Sequence, residues 1–295
     1  MTSPFDFSAV AVQAQARDDV ARALAEDLGT GDLTASLVDA QRQARARVLT
    51  RDSAVICGAP WVEATVRALD PQARIVWRVA EGTHCQAGQK VVEIEGQAQA
   101  LLSAERTLLN FLQLLSAVAT QTARYVEAVK GTRARIVDTR KTLPGLRLAQ
   151  KYAVRQGGGT NHRIGLYDAI LIKENHIAAA GGIAPVLARA ATVASQASFV
   201  EIEVETLAQL QEALAAGAMM VLLDNMDLPT LYEAVRLNQA LRTAQGLAPA
   251  VLEISGGVNL QSVHALAQTG VDRISIGALT KDVKAVDFSM RFEGL

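Results

Sequence analysis

From Gly131 onward the chain repeats one kind of unit, and that repeat decides the fold class. Short apolar or β-branched runs stand at ARIVDTR, AILIKENH, SFVEIEVE, AMMVLLDN, AVLEISGG and DRISIGA. Helical segments such as LAQLQEALAAG, LPTLYEAVRLNQALRT and LQSVHALAQTG separate most of them. Strand-helix alternation of this kind builds a parallel sheet covered by helices. At least six such units in ~150 residues suit a complete or incomplete (β/α) barrel better than an open sheet.

Each run is apolar at its start and ends in polar residues or glycine. The ends are Asp138-Thr139-Arg140-Lys141, Lys173-Glu174-Asn175-His176, Glu203-Val204-Glu205, Asp224-Asn225, Ser255-Gly256-Gly257 and Ser275-Ile276-Gly277. Parallel α/β barrels carry their sites at the carboxyl ends of the strands. The mouth of the barrel is therefore the expected site.

The N-terminal half has a different organisation. A helix is expected over residues ~1–30, with Val10, Val12, Val20, Leu24 and Leu28 as its apolar positions. EDLGTGDLT then reads as a helix end followed by a capped turn in preference to a ligand loop. Residues ~45–95 alternate as short strands around a helix at roughly 59–69 that starts after Pro60, an α+β unit. A long apolar helix is expected from Leu101 to about Lys130, and Arg106 is its odd residue. A charge on so apolar a helix is either at an exposed end or aimed at an anion.

Composition excludes several classes. A net charge of −1 and a pI near 6.4 give no reason to expect nucleic acid or a membrane surface as partner. No apolar run reaches the ~18 residues of a membrane helix. MTSPFDFSAV lacks the basic and apolar regions of a secretory signal. Cys57 and Cys85 have no partners at metal spacing, and a cytoplasmic location is expected.

Against that neutral background, Asp138 to His176 concentrates Arg140, Lys141, Arg147, Lys151, Arg155, His162, Arg163 and Lys173 around Gly157-Gly158-Gly159. The cations at strand ends suit carboxylates or a pyrophosphate. Glu203 and Asp224, on successive strands, suit a ribose diol or a hydrated Mg²⁺. The glycine-rich ends of the last two strands suit a phosphate. Taken singly, each residue has a plainer reading: His162 as a core or surface hydrogen-bonding group, Glu203 and Asp224 as partners of barrel arginines, Lys173 as a salt-bridge residue. Lys173 could also be the Schiff-base lysine of an aldolase-like barrel. Arg147, Lys151 and Arg155, four apart, are expected on a solvated or interface face, and the glycine run as a lid or helix C-cap. No GxSxG, HExxH, Walker loop or GxGxxG opening a strand-turn-helix unit is present.

DTRKTLPGLR…KYAVRQGGGTNHRIGLYDAILIKENH, EIEVETL…EALAAGAMMVLLDNM, LEISGGV and DRISIGALT, with EDLGTGDLT and AERTLLNFLQLLSAVAT before them, resemble the quinolinate phosphoribosyltransferase family from about residue 20 to 290. The resemblance implies an N-terminal α/β sandwich domain, here 1–117, and a C-terminal open (β/α) barrel of TIM-like type, 118–279. A final segment, 280–295, packs back with the first domain. It implies a pentosyltransferase of de novo NAD synthesis that joins quinolinate to phosphoribosyl pyrophosphate with Mg²⁺ and releases CO₂. The implied assembly is a homodimer with shared active sites, extended to a hexamer in some members. Arg106 would reach into the neighbouring subunit's site. Together with Arg140, His162 and Arg163 it would hold the two quinolinate carboxylates. Lys141 and Lys173 would serve the phosphates, beside Thr139, and Glu203 and Asp224 the ribose hydroxyls and Mg²⁺, directly or through water. These four, Lys141, Lys173, Glu203 and Asp224, are the implied catalytic set. Ser255, Gly256, Gly257, Ile276, Gly277 and Ala278 would hold the 5′-phosphate. Glu174 and Lys281 depart from the family's commoner Asp and His, and neither is assigned to chemistry.

Overall fold

The computed structural model describes residues 6–293 and divides into two compact units. One contains Asp6–Ala123, Thr142–Gly158 and the residues from Ala278 on; the other contains Arg124–Lys141 and Gly159–Gly277.

The first unit opens with α1 (Ala9–Leu28), whose N-cap Ser8 accepts a hydrogen bond from the Ala11 amide. Val12, Val20 and Leu24 are buried as expected, but Val10 is exposed. Residues 1–5 of the expected helix lie outside the described residues. The capped-turn reading of EDLGTGDLT holds. Asp32 accepts from the Thr34 and Ala35 amides, both at 2.9 Å, and from the Ser103 hydroxyl at 2.9 Å. Strand β1 (Gln43–Thr50) buries every second residue, as one face of a sheet requires. β2 (Ala54–Val55) leads to α2 (Ala59–Leu69), which has Pro60 in its first turn. Glu81 caps that helix by accepting from the Gly58 and Ala59 amides at 2.8 and 3.0 Å. β3 (Arg74–Trp77), β4 (His84–Cys85) and β5 (Lys90–Gln97) follow, and then α3 (Ala98–Ala128). The boundary expected near residue 117 falls inside α3. The apolar face of β1 and β5 packs with Leu101, Ala104, Leu108 and Leu112 of α3 in one core.

In the second unit six parallel strands run β6 (Arg135–Val137), β7 (Ile170–Ile172), β8 (Val200–Val204), β9 (Met220–Asp224), β10 (Val251–Ser255) and β11 (Arg273–Ser275). Their spatial order is β6-β11-β10-β9-β8-β7, so chain neighbours sit side by side except β6 and β7. There the ring stays open, and Thr160 alone bridges to Val137 of β6. Of the complete and incomplete barrels that the alternation allowed, this is the open one that the family resemblance implied. Its helices begin where local chemistry directs: Thr206 caps α5 (Leu207–Ala215) with Gln209 returning the bond, and Asp227 caps α6 (Leu228–Ala244).

The connection from β6 to β7 passes through the first unit, where α4 (Arg147–Gln156) lies. Lys151 is completely buried there, against the expectation of a solvated or interface face, while Arg155 is exposed. Gln150 of α4 donates to the Thr280 carbonyl in α7 (Ala278–Lys281) at 2.8 Å. The C-cap reading of the glycine run holds at Gly157, whose amide closes α4 onto Ala153. A side chain at 157 would stand 2.3 Å from the Ala119 carbonyl. Last, β12 (Phe288–Glu293) returns antiparallel to β1. Among the described residues no single helix is long and apolar enough to cross a membrane.

Candidate active site

All six barrel strands are parallel, so their polar ends gather at one rim. Across β6 and β11, the Thr139 hydroxyl accepts from the Lys141 amide at 3.1 Å. Gly277 lies beneath the lysine: a Cβ there would sit 3.0 Å from Lys141 Cδ. Across β7 and β8, Lys173 Nζ meets Glu203 Oε2 at 2.7 Å. That ion pair suits an ammonium and not the desolvated amine of a Schiff-base lysine. Across β9 and β10, Ser255 is in register with Asp224, and the Asn225 amide donates to the Ser255 carbonyl at 3.0 Å. Asp224 is the last residue of β9 and is half-buried at the rim. Ile276 is buried, its amide held by the Val137 carbonyl. Arg106 and Ala278 belong to the other unit, and Arg106 is exposed on α3.

The segment carrying Arg163 is stapled at both ends by buried aspartates. Asp138, fully buried, accepts from Asn161 Nδ2 at 2.6 Å and from the His162 amide at 2.9 Å. Asp168 accepts from the Ile164 and Gly165 amides at 2.8 and 2.6 Å. Arg163 also donates through Nη1 to the Ala169 carbonyl at 3.2 Å. Burial, and then the neighbouring Arg140 charge, push the Arg163 guanidinium below its ordinary pKa. Arg140 Nε is itself buried without a hydrogen-bond partner among the described residues. A carboxylate or phosphate is the kind of group that could satisfy two guanidinium groups that repel each other, one with an orphaned donor.

His162 sits differently from a free rim ligand. Its Nε2 lies 2.8 Å from Glu201 Oε2 and its Nδ1 accepts from the Arg163 amide at 2.8 Å. Glu201 and Glu253 are both fully buried, and burial lifts each carboxyl to about 7. Sequence reasoning did not single out Glu201, Glu253, Arg273 or Asp168. The signal available was a charge in the middle of an otherwise apolar parallel strand.

Glu253 gives a pH prediction. Its ordinary value is 4.5, so between pH 4.5 and about 7 the folded chain keeps a proton that the unfolded chain releases. The fold therefore loses stability as pH rises through that window and levels off above it. Glu253→Gln removes this contribution. Its Tm, relative to wild type, is higher at pH 8 than at pH 5 in scanning calorimetry, and an equal offset at both pH values would refute the assignment.

Fold and rim together define an α/β-barrel protein whose cationic, acidic and glycine-rich strand ends gather at one rim. Residues 32–116 match the model of the quinolinate phosphoribosyl transferase N-terminal domain, and residues 118–291 that of the C-terminal domain. The chain belongs to the quinolinate phosphoribosyltransferase family. It is 42% identical over 283 residues to the nicotinate-nucleotide pyrophosphorylase [carboxylating] of Mycobacterium leprae, covering 93% of this chain and 96% of that one. To the probable enzyme of the same name from Bacillus subtilis it is 41% identical over 266 residues, covering 90% and 89%. The solved structure of the nicotinate-nucleotide pyrophosphorylase from Francisella tularensis superimposes with a TM-score of 0.90 at 40% identity, over 99% of this chain and 100% of that one.

Proposed function

We propose that this chain transfers the phosphoribosyl group of phosphoribosyl pyrophosphate to quinolinate and decarboxylates the product, giving nicotinate mononucleotide, pyrophosphate and CO₂. The observation that carries the reading is the Arg140–Arg163 pair with its orphaned Nε, which fits a ring dicarboxylate. Asp224, in register with Ser255 at the glycine-rich turn 255–257, and Glu203 near the end of β8 fit the ribose hydroxyls, and the turn itself fits a 5′-phosphate.

The chemistry needs no enzyme nucleophile. The C1′–oxygen bond to pyrophosphate breaks with its electron pair leaving on pyrophosphate, and the pyridine nitrogen lone pair forms the new bond to C1′. The bond from C2 to its carboxylate then breaks. Its electron pair stays at C2 beside the cationic ring nitrogen until a proton from water completes the C–H bond. Lys141 and Lys173 supply positive charge toward the leaving pyrophosphate, while Arg140 and Arg163 hold the ring carboxylates. Catalysis is positioning plus electrostatics. The oxygen donors of Asp224 and Glu203 fit Mg²⁺, which binds through one or two carboxylates, water and substrate phosphates. When bound it would neutralise charge on the pyrophosphate. Two buried, unpaired cysteines fit a reducing cytoplasm.

The test is CO₂ release that requires quinolinate, phosphoribosyl pyrophosphate and Mg²⁺ together. Release of no CO₂ by the folded protein, or equal turnover with nicotinate in place of quinolinate, would reject the assignment. Arg106, exposed and outside the barrel unit, supports a homodimer in which it completes the partner's site. Arg106→Ala and Arg163→Ala are each inactive alone, and mixed subunits recover part of the wild-type rate because one site of a mixed dimer is intact. An absence of recovery after subunit exchange would remove the shared site.

A further inference from the structure

One layer below the rim the barrel interior carries a row of charge that the proposed reaction does not use. Glu201 lies two residues before Glu203 on β8, so both side chains leave the same face of the strand, Glu201 deeper. Glu253 on β10 is in register with Arg273 on β11, and Arg273 Nε stands 2.8 Å from Glu253 Oε2. Glu253 Oε1 in turn is 3.7 Å from His162 Nε2, the nitrogen that meets Glu201 Oε2 at 2.8 Å. The edge of the imidazole stands against Phe199, with ring centroids 5.1 Å apart at 83°.

A buried histidine with two carboxylates could be read as a metal site. The distances argue otherwise. Two ligands of one tetrahedral metal, each ~2.1 Å from it, stand ~3.4 Å apart. His162 and Glu201 are at hydrogen-bond distance, and Glu253 Oε2 already faces the Arg273 guanidinium.

We infer that Glu201, backed by the Glu253–Arg273 pair, is a positioning residue that aims the Arg163 guanidinium by fixing the His162 ring. With Nδ1 accepting from the Arg163 amide, Nε2 carries the proton and donates it to Glu201. The imidazole is thus clamped between a carboxylate below and the backbone of the arginine above. Releasing Nε2 frees the ring to turn, and the Arg163 amide, in a buried residue, loses its acceptor. The consequence falls on the ring-carboxylate subsite and leaves the phosphosugar subsite alone. This inference rests on the quinolinate reading.

The test compares Glu201→Leu, which keeps volume but cannot accept a hydrogen bond, with Glu201→Gln, whose amide oxygen can. In the full-length enzyme, Glu201→Leu raises KM for quinolinate on the order of 10- to 100-fold while KM for phosphoribosyl pyrophosphate stays within about two-fold. Glu201→Gln restores quinolinate KM to within about three-fold of wild type. Should Glu201→Leu not fold, Phe199→Leu removes the edge-to-face contact on the imidazole and shifts quinolinate KM alone in the same direction. Equal changes in both KM values, a fall in kcat without either, or a Gln variant no better than Leu would overturn the inference. So would a folded Phe199→Leu with both KM values at wild type. A wild-type enzyme that releases no CO₂ in the same assay indicts the proposed function instead.

Discussion

Lys173→Ala lowers kcat by about 10²–10³-fold while the protein stays folded. Lys173 is half-exposed at the rim, and its ion pair to Glu203 is of the kind that contributes about 0.2–1 kcal/mol to stability. Its removal therefore costs the fold little. The cost to turnover is larger because the ammonium does two things there. In the proposed reaction it supplies charge toward the departing pyrophosphate, and through its ion pair it would hold the Glu203 carboxylate at a fixed place for the ribose. Both matter most where charge develops, so kcat falls more than either KM rises. Lys173→Arg keeps the charge but replaces a compact point charge with a planar fork, and recovers only part of the rate. Steady-state kinetics with a parallel melting curve checks the split. Near-wild-type turnover in folded Lys173→Ala would take the lysine out of the reaction.

What could be read in advance follows the physics of each signal. The rim residues were legible because strand-helix alternation fixes the direction of every strand, and direction alone puts Lys141, Lys173, Asp224 and Ser255 at one end. The charged layer beneath was not. Glu201 and Glu203 alternate along EIEVE as they would on any strand, and the sequence does not say which face looks into the barrel. Lys151 shows the same limit in a helix. A spacing of four identifies one face of α4, but whether that face meets water is decided by elements distant in the chain. Thr280, which meets the neighbouring Gln150, is one such contact. The twin clamps of Asp138 and Asp168 escaped because carboxylates that accept backbone amides within a loop have no periodicity to betray them. Local devices did show: the Asp32 turn, the Thr206–Gln209 capping box and the Gly157 C-cap are each written within a few residues.

Gly256→Ala and Gly257→Ala separate the turn that shapes the phosphate subsite from the amides proposed to bind there. Gly256 has φ +100, and a Cβ on it would stand 3.2 Å from both the amide nitrogen and Cα of Asn225. Those are backbone atoms, and they have little freedom. Asn225 is itself in the left-handed region, φ 53, with its amide tied to Ser255. Alanine at 256 must therefore push the end of β9 away from β10, at a cost of about 1–3 kcal/mol, and take Asp224 with it. Melting temperature falls and KM for phosphoribosyl pyrophosphate rises together. Gly257 has φ +60 and nothing within 4 Å of its missing Cβ. Alanine there carries only the left-handed backbone cost, about 1 kcal/mol, and leaves the strands in place. Its methyl group, however, projects beside the amide that would meet the 5′-phosphate. Gly257→Ala then melts close to wild type yet binds phosphoribosyl pyrophosphate on the order of tenfold more weakly, the equivalent of ~1.4 kcal/mol. Unchanged binding in Gly257→Ala, with the loss confined to Gly256→Ala, would leave the turn a structural joint and move the phosphate elsewhere on the rim.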